Sequence, residues 1–331
     1  MATARKSGGR QRGGPSRKRR DVVSLGVLTV VLLVCGIITL GEYLDVSWLP
    51  SWDAILQGEG LQPTVSASGG EPLEGEVQVH YLDVGQADSI LITTPDKTVL
   101  IDAGNEGCGP GIQQYLESQE VSSIDFLIAT HAHADHIGDM DYVVQNFEIG
   151  QIIMPKLSEE MVPTTRVYQN LLTSISDKGK KIQAAKPGAS YDICEGGLLE
   201  ILAPNKNYSD LNDTSVVCRL TYGETAFLFT GDAEKESEED ILAAGFDVTA
   251  DVYKAGHHGS STSNSLAYLK AVGPRFAVIS CGEGNDYGHP HKEVLERFEK
   301  LGIQVLRTDL MGTIVVASDG RELQVATQKA A

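Results

Sequence analysis

Short apolar runs dominate the chain from residue 77 onward, and their spacing predicts two successive sets of strands and helices. The runs at 77–84, 89–93, 98–102 and 126–130 are short and bounded by turn-forming or charged residues, the length and flanks expected of strands. A helix-like stretch at 110–118 falls between the third run and the fourth. A second set follows at 198–203, 216–222, 226–230, 252–255 and 276–280, interleaved with helical patterns near 234–244, 263–272 and 292–301. Strands and helices thus occur twice, which predicts two sheets packed face to face with helices outside. The expected fold class is α/β, a four-layer αββα sandwich over 76–326, without short-period repeats.

The pattern before residue 76 is different. Eight Lys/Arg and no acid occupy residues 1–20, and Val22 to Leu40 then runs 19 residues without a charge, long enough to span a bilayer. This predicts a basic cytoplasmic arm (1–20), one N-terminal transmembrane helix as anchor (21–44) and, by the positive-inside rule, a catalytic body outside the cytoplasm. A cleaved signal peptide is the competing reading, but the run is long for one and no small-x-small site follows closely. Arg19-Arg20 faintly resembles a twin-arginine signal. Residues 45–75 carry Pro50, Pro63, Pro72 and Ser66-Ala67-Ser68-Gly69-Gly70 with little periodicity, a linker pattern.

Past residue 44 the chain keeps 19 of its 27 basic and 43 of its 45 acidic residues, a net charge of −24. Such a body does not suit wrapping nucleic acid. The acidic run from Glu234 to Asp240 reads as a solvated helix face. Five scattered cysteines without C-x-x-C spacing exclude a cysteine zinc cluster.

The chemistry concentrates in Thr130-His131-Ala132-His133-Ala134-Asp135-His136-Ile137-Gly138-Asp139, where three imidazoles and a carboxylate fall within six positions. Each is a good ligand for a divalent ion. The first two histidines alternate and can close on one ion, whereas Asp135 and His136 point elsewhere and can serve a second. Asp232 ends the strand-like run 226–230 and is placed to bridge the two. His257 and His258 follow 252–255 between glycines that let the backbone bend, and one of them should complete the second ion's set. His289, in Gly288-His289-Pro290-His291, suits substrate contact or proton transfer. Ser260, with Ser261 and Thr262, can donate to a phosphate or cap a helix. Lys254 and Lys292 are the basic side chains set nearest these motifs, and His80 reads as a packed mid-strand side chain.

These stretches carry a resemblance. Tyr81-Leu82-Asp83-Val84-Gly85-Gln86-Ala87-Asp88-Ser89, Ile101-Asp102-Ala103-Gly104, the histidine motif, Thr230-Gly231-Asp232, Gly256 to Ser261 and Tyr287-Gly288-His289-Pro290 resemble, in order, the metallo-β-lactamase-fold domain of the ComEC family of DNA-uptake proteins. The resemblance covers about 77–325. It implies an αββα sandwich with a dinuclear hydrolytic site holding two divalent metal ions, zinc or manganese. It implies that His131 and His133 bind the first ion, Asp135 and His136 the second, that Asp232 bridges, and that His257 joins the second with His258 behind it. Asp102 matches a carboxylate that orients the histidine loop. The chain departs from the pattern in two places. Much of the superfamily supplies the first ion with another histidine where this chain offers Asn212-Asp213-Thr214-Ser215, so that Asp213 is the candidate to fill the gap. One apolar span stands where ComEC has a multi-span channel, which argues against DNA transport.

The expectation is therefore a membrane-anchored extracytoplasmic metallohydrolase acting on phosphodiesters, DNA among them, as a ComEC-like nuclease. Asp135, Asp232 and His289 would handle protons, and Ser260 and Lys254 would contact substrate. The alternatives are a hydrolase of small or cell-surface esters, lactones or phosphoesters, which the acidic surface favours, and a non-catalytic metal-dependent surface module. The sequence leaves the oligomeric state open.

Overall fold

The computed structural model describes the backbone of residues 65–67 and the whole of residues 75–329. The expected arm, anchor and most of the linker lie outside the described residues. Among those described, no helix is long and apolar enough to cross a membrane.

The compact unit from Thr64 to Ala331 begins with β1 (Val65–Ala67), β2 (Val77–Tyr81), β3 (Ile90–Thr93), β4 (Thr98–Ile101), α1 (Gly109–Ser118) and β5 (Ser123–Ile128). After the histidine motif come α2 (Ala134–Ile137), α3 (Met140–Asn146), β6 (Glu148–Met154), α4 (Arg166–Asp177) and β7 (Ile182–Ala184). The second half contains β8 (Ser190–Cys194), β9 (Gly197–Ala203), β10 (Val217–Tyr222), β11 (Thr225–Phe229), α5 (Lys235–Ala244), β12 (Val252–Lys254), α6 (Leu266–Val272) and β13 (Phe276–Ile279). The chain closes with α7 (Lys292–Leu301), β14 (Gln304–Arg307), α8 (Thr308–Met311), β15 (Ile314–Ser318) and β16 (Leu323–Thr327).

Two mixed sheets result, ordered β1-β16-β15-β2-β3-β4-β5-β6-β7 and β14-β13-β12-β11-β10-β9-β8. Side chains alternate across each strand, so consecutive residues feed different layers. Val99 and Ile101 of β4 face the inter-sheet core, where they join Phe227 and Phe229 of β11, while Leu100 faces the helices. Ile112, Leu116, Val143 and Leu171 cover the first sheet from α1, α3 and α4. Ile241, Leu269 and Phe298 cover the second from α5, α6 and α7. The expected four-layer αββα sandwich is what forms.

The sequence expects a helix directly after the histidine motif, which α3 supplies, but it leaves 147–197 and everything after 301 without elements, where the structure puts two α-helices and six strands. Sheet-edge strands such as β7 and β8 hold one fully buried residue between them, Ile193, so they show no apolar run. β15 pairs β2 from the opposite end of the chain, and β16 pairs β15, contacts that no local pattern announces. β1 also corrects the linker, because Val65 pairs in parallel with Val325 of β16. Three residues among Ser and Gly are too short a run to read as a strand.

The parallel ladders β4-β5-β6 and β11-β12-β13 end on the same side as the motif loops. Gly138, just past α2, donates its N–H to the Gly104 carbonyl at 2.8 Å. A Cβ there would run into the backbone of Asn105 and Glu106 and the Ala134 carbonyl. Only glycine permits this approach. Gly138→Ala is expected to lower stability by about 1–3 kcal/mol, the usual cost of overpacking. A urea denaturation midpoint equal to that of the parent chain would show that the contact gives way freely.

Candidate metal centre

The histidine motif is fixed by a buried carboxylate. Asp102, just past β4, adopts a left-handed φ of 60° that turns its side chain under the next strand end. Its Oδ1 accepts the Thr130 N–H at 2.8 Å, and its Oδ2 accepts from Thr130 Oγ1 at 2.6 Å and His136 Nδ1 at 2.7 Å. That last bond leaves the proton on Nδ1 and directs the His136 Nε2 lone pair away from Asp102. His258 is oriented the same way, its Nδ1 donating to the Ser280 carbonyl at 3.0 Å. His257 Nδ1 donates to Glu234 Oε1 at 3.2 Å.

The freed nitrogens converge on Asp232, which follows β11 and is held by its N–H donating to Ser215 Oγ at 3.1 Å. Around Oδ1 lie His136 Nε2 at 3.3 Å and His258 Nε2 at 3.7 Å, and Asp135 Oδ2 is 3.2 Å from the same His258 nitrogen. Around Oδ2 lie His257 Nε2 at 3.6 Å and His131 Nε2 at 3.9 Å, and His131 Nε2 is 3.0 Å from His133 Nδ1. Ligands about 2.1 Å from one ion in a tetrahedral site stand roughly 3.4 Å apart, so the spacings about Oδ1 suit a cation. Asp135, His136, Asp232 and His258 keep their ligand atoms within 4.8 Å of one another. His136 Nε2 and Asp232 Oδ1 are buried without any hydrogen-bond partner. A bound cation removes that penalty.

The electrostatics point the same way. Burial works against charge on Asp232, but His136, His258 and His131 outweigh it and hold the carboxyl well below its ordinary range. Burial likewise opposes charge on Asp135, yet His136 and His258 bring it down to about 2. His258 rises to about 10 because Asp232 and Asp88 override burial, and His136 rises well above its ordinary value through Asp232, Asp102 and Asp135. Carboxylates that would hold a proton on these rings equally favour a metal cation. His131 moves well below its ordinary value, through burial and the adjacent His136.

Residues 82–283 match the profile of the Metallo-beta-lactamase superfamily. The chain belongs to that superfamily. A solved structure, the CmlA beta-hydroxylase E377D mutant, is similar in fold at a TM-score of 0.50 and 15% identity, with 75% of this chain and 55% of that one covered. ComE operon protein 3 of Bacillus subtilis strain 168 is 30% identical over 263 residues, 73% of this chain and 33% of its own length. Endoribonuclease ysh-1 of Neurospora crassa is 24% identical over 201 residues, 53% of this chain and 22% of its own length. The chain spans a third or less of either relative.

In this metallo-β-lactamase-fold body His131, His133, Asp135, His136 and Asp232 come together as the sequence reading expects. The preference for His257 over His258 at the second group is reversed. Both residues have left-handed backbone, φ 50° and 52°, which sends the two rings to opposite sides of Asp232, and it is His258 that reaches Asp135. Asp213 does not point to the site, because its Oδ1 accepts the Glu234 and Ser237 N–H groups at the start of α5. Ser260 is buried in its own turn, bonded to Thr262, and does not line the cavity. Lys292 pairs with Glu296 on the solvent side of α7. Glu234 and Glu238 correct the solvated reading of the acidic run: the first holds His257, and the buried second accepts the Asn264 and Ser265 N–H groups.

Lys254 is the largest departure. It is fully buried, with Nζ 2.8 Å from Asp88 Oδ2 and 3.0 Å from the Ala255 carbonyl, so it lies beneath the site and away from substrate. Asp88 Oδ1 is 3.4 Å from His258 Nδ1. Asp88 is the residue sequence reasoning passed over; its signal was a lone acid inside Ala87-Asp88-Ser89-Ile90, ahead of a strand. Burial opposes its charge, but Lys254 and His258 hold its pKa below the ordinary value. A lowered folded-state pKa stabilises the protein above the ordinary carboxylate range, and that contribution is lost as pH falls toward the folded value. Lys254→Met strands Asp88 and is expected to cost about 3–5 kcal/mol at neutral pH, and less in acid where Asp88 protonates. Unchanged urea stability with a raised KM would instead restore Lys254 to the substrate surface.

Proposed function

We propose that the chain is a dinuclear metallohydrolase that cleaves phosphodiesters, with nucleic acid strands as its substrate class, anchored to the outer face of a membrane by residues 21–44. The observation that carries this reading is the division of nitrogen and oxygen ligands into two groups about the two oxygens of Asp232. Asp135, His136, Asp232 and His258 would hold one divalent ion, and His131, His133 and Asp232 belong to the other; zinc and manganese both accept such sets. A pair of ions there supplies a water of lowered pKa and neutralises charge on a phosphoryl oxygen.

The chain's own residues do the rest. Asp102 fixes the ring of His136, and Asp135 and Asp232 stay ionised at neutral pH, ready to accept a proton. Gln86 Oε1 accepts the Gly282 N–H at 3.1 Å, which turns its amide nitrogen toward His289 Nδ1 at 3.3 Å. The His289 proton then sits on Nε2. Burial and the neighbouring His258, His257 and His291 lower the His289 pKa to about 4, so it acts as a neutral hydrogen-bond donor to an oxygen of the substrate.

Tyr287 supports nucleic acid in particular. It lines the same cavity, stands 69% exposed, and stacks on His289 with centroids 5.7 Å apart and planes 22° from parallel. Such a flat shelf suits an unpaired base. The relative named an endoribonuclease is consistent with the substrate class. The net charge of −24 past residue 44 favours the second reading, a small ester or lactone that needs no basic groove.

Metal analysis combined with a panel of single-stranded DNA and RNA, an aryl phosphodiester, small esters and lactones separates the readings. Chelator-sensitive phosphodiester turnover is expected; ester or lactone turnover alone would transfer the function to the second reading, and metal without turnover would leave a binding module. Tyr287→Ala should weaken an oligonucleotide by about 1–3 kcal/mol, roughly 5- to 150-fold in KM, with the aryl phosphodiester unaffected. Equal loss on both substrates would remove the stacking role. For the anchor, protease added to intact cells should digest the body and spare the basic arm, and a protected body would reverse the orientation.

A further inference from the structure

We propose that His257 completes the first ligand group, with His131, His133 and Asp232, and that Asn212 and Glu234 form the chain that positions it. This deepens the dinuclear reading above and rests on it. Among the described residues, the second group already has four ligands in Asp135, His136, Asp232 and His258. The first has only His131 Nε2, His133 Nδ1 and Asp232 Oδ2. His257 Nε2 stands 3.6 Å from Oδ2, the oxygen that faces His131, so the two neighbouring histidines divide between the two oxygens of one carboxylate. The left-handed backbone at both residues is what makes this division, setting the rings 6.2 Å apart and 68° from parallel. For residues other than glycine or asparagine that conformation is strained, and such strain commonly marks a functional constraint.

The support behind His257 is built for a ligand. Glu234 Oε1 takes the Nδ1 proton and also accepts from Asn212 Nδ2 at 3.2 Å, while the His257 N–H donates to the Gly231 carbonyl at 3.1 Å. The pair thus presents a carboxylate behind an imidazole, the arrangement that fixes the tautomer and raises ligand basicity. Asp213, the other candidate for the vacancy, spends one oxygen on the two N–H groups that open α5. Asn212 is thereby a positioning residue, acting through Glu234.

The test is metal binding by the full chain, read without activity. The protein loaded with cobalt(II) should hold two ions. His257→Ala and His258→Ala should each hold one, in different places: paramagnetically shifted imidazole N–H resonances should number two in His257→Ala, from His136 and His258, and three in His258→Ala, from His131, His133 and His257. Glu234→Ala should keep both ions with the first bound about 10- to 100-fold more weakly. Asp213→Asn should bind both as the parent does. Circular dichroism and urea midpoints verify that each variant folds; His257 is partly exposed, so its removal leaves no buried cavity. Two tightly held ions in His257→Ala would overturn the inference and leave the dinuclear reading standing, as would loss of an ion in Asp213→Asn alone. Fewer than two ions in the parent chain would overturn the dinuclear reading and the inference with it.

Discussion

The site depends on keeping one carboxylate ionised and buried where the ends of the two sheets meet. Asp232 is 1% exposed, and one of its oxygens has no hydrogen-bond partner. In water that group would be fully solvated, and in an apolar interior it would neutralise itself. What keeps it charged is the ring of imidazoles about it, each turned to face it by an acceptor on its far nitrogen: Asp102 for His136, the Ser280 carbonyl for His258, and Glu234 for His257. Removing the outer layer would free the rings to rotate, and the carboxylate would lose its reason to stay ionised. Fold and site are thus joined through these acceptors, which come from the ends of β4, β11 and β13.

A second carboxylate lies below. Asp88 carries its own cation in Lys254, and the pair sits under His258 with no access to solvent. Buried ion pairs seldom stabilise a fold relative to an apolar core, because desolvation offsets their attraction. This one acts on position and charge: it holds negative potential behind His258 while its own net charge is zero. The ligand loops can then gather acids and histidines without the interior carrying the full repulsion among them.

The parts legible from sequence were those that are local. The ligands in His131, His133, Asp135 and His136 are contiguous, and the carboxylate of Asp232 follows an unmistakable apolar strand, so type and spacing suffice to read them. The short apolar runs likewise announce the strands of both sheets near the site. What was illegible depends on contacts between distant segments or on backbone angles. Lys254 reads as a surface cation because lysine nearly always is one, and only the fold brings Asp88 beneath it. Nothing in Gly-His-His-Gly says which histidine serves which ion, since a residue-by-residue reading assumes ordinary dihedrals and both histidines depart from them. Asp213 looks like a ligand by type and turns out to accept the first N–H groups of α5, a helix that starts some 21 residues further along the chain, so its fate too is set by a contact between distant segments.

These placements bear on how a polyanion would be held. With Lys254 buried and Lys292 beside Glu296 on the solvent side of its helix, neither basic side chain that the sequence set near the motifs lines the cavity. The body carries −24 past residue 44, so long-range attraction works against a nucleic acid. For the proposed substrate, charge neutralisation at the scissile group would therefore fall to cations held by the Asp232 cluster, and recognition to contacts that do not need charge, such as the Tyr287 and His289 stack. If the proposed nuclease reading holds, a site organised this way would engage a strand over few nucleotides and release few counterions, giving binding that changes little with salt. Processive grip on a long duplex would demand a basic groove, and the side chains around this cavity, Gln86, Asn212, Tyr287 and the ligands themselves, do not build one.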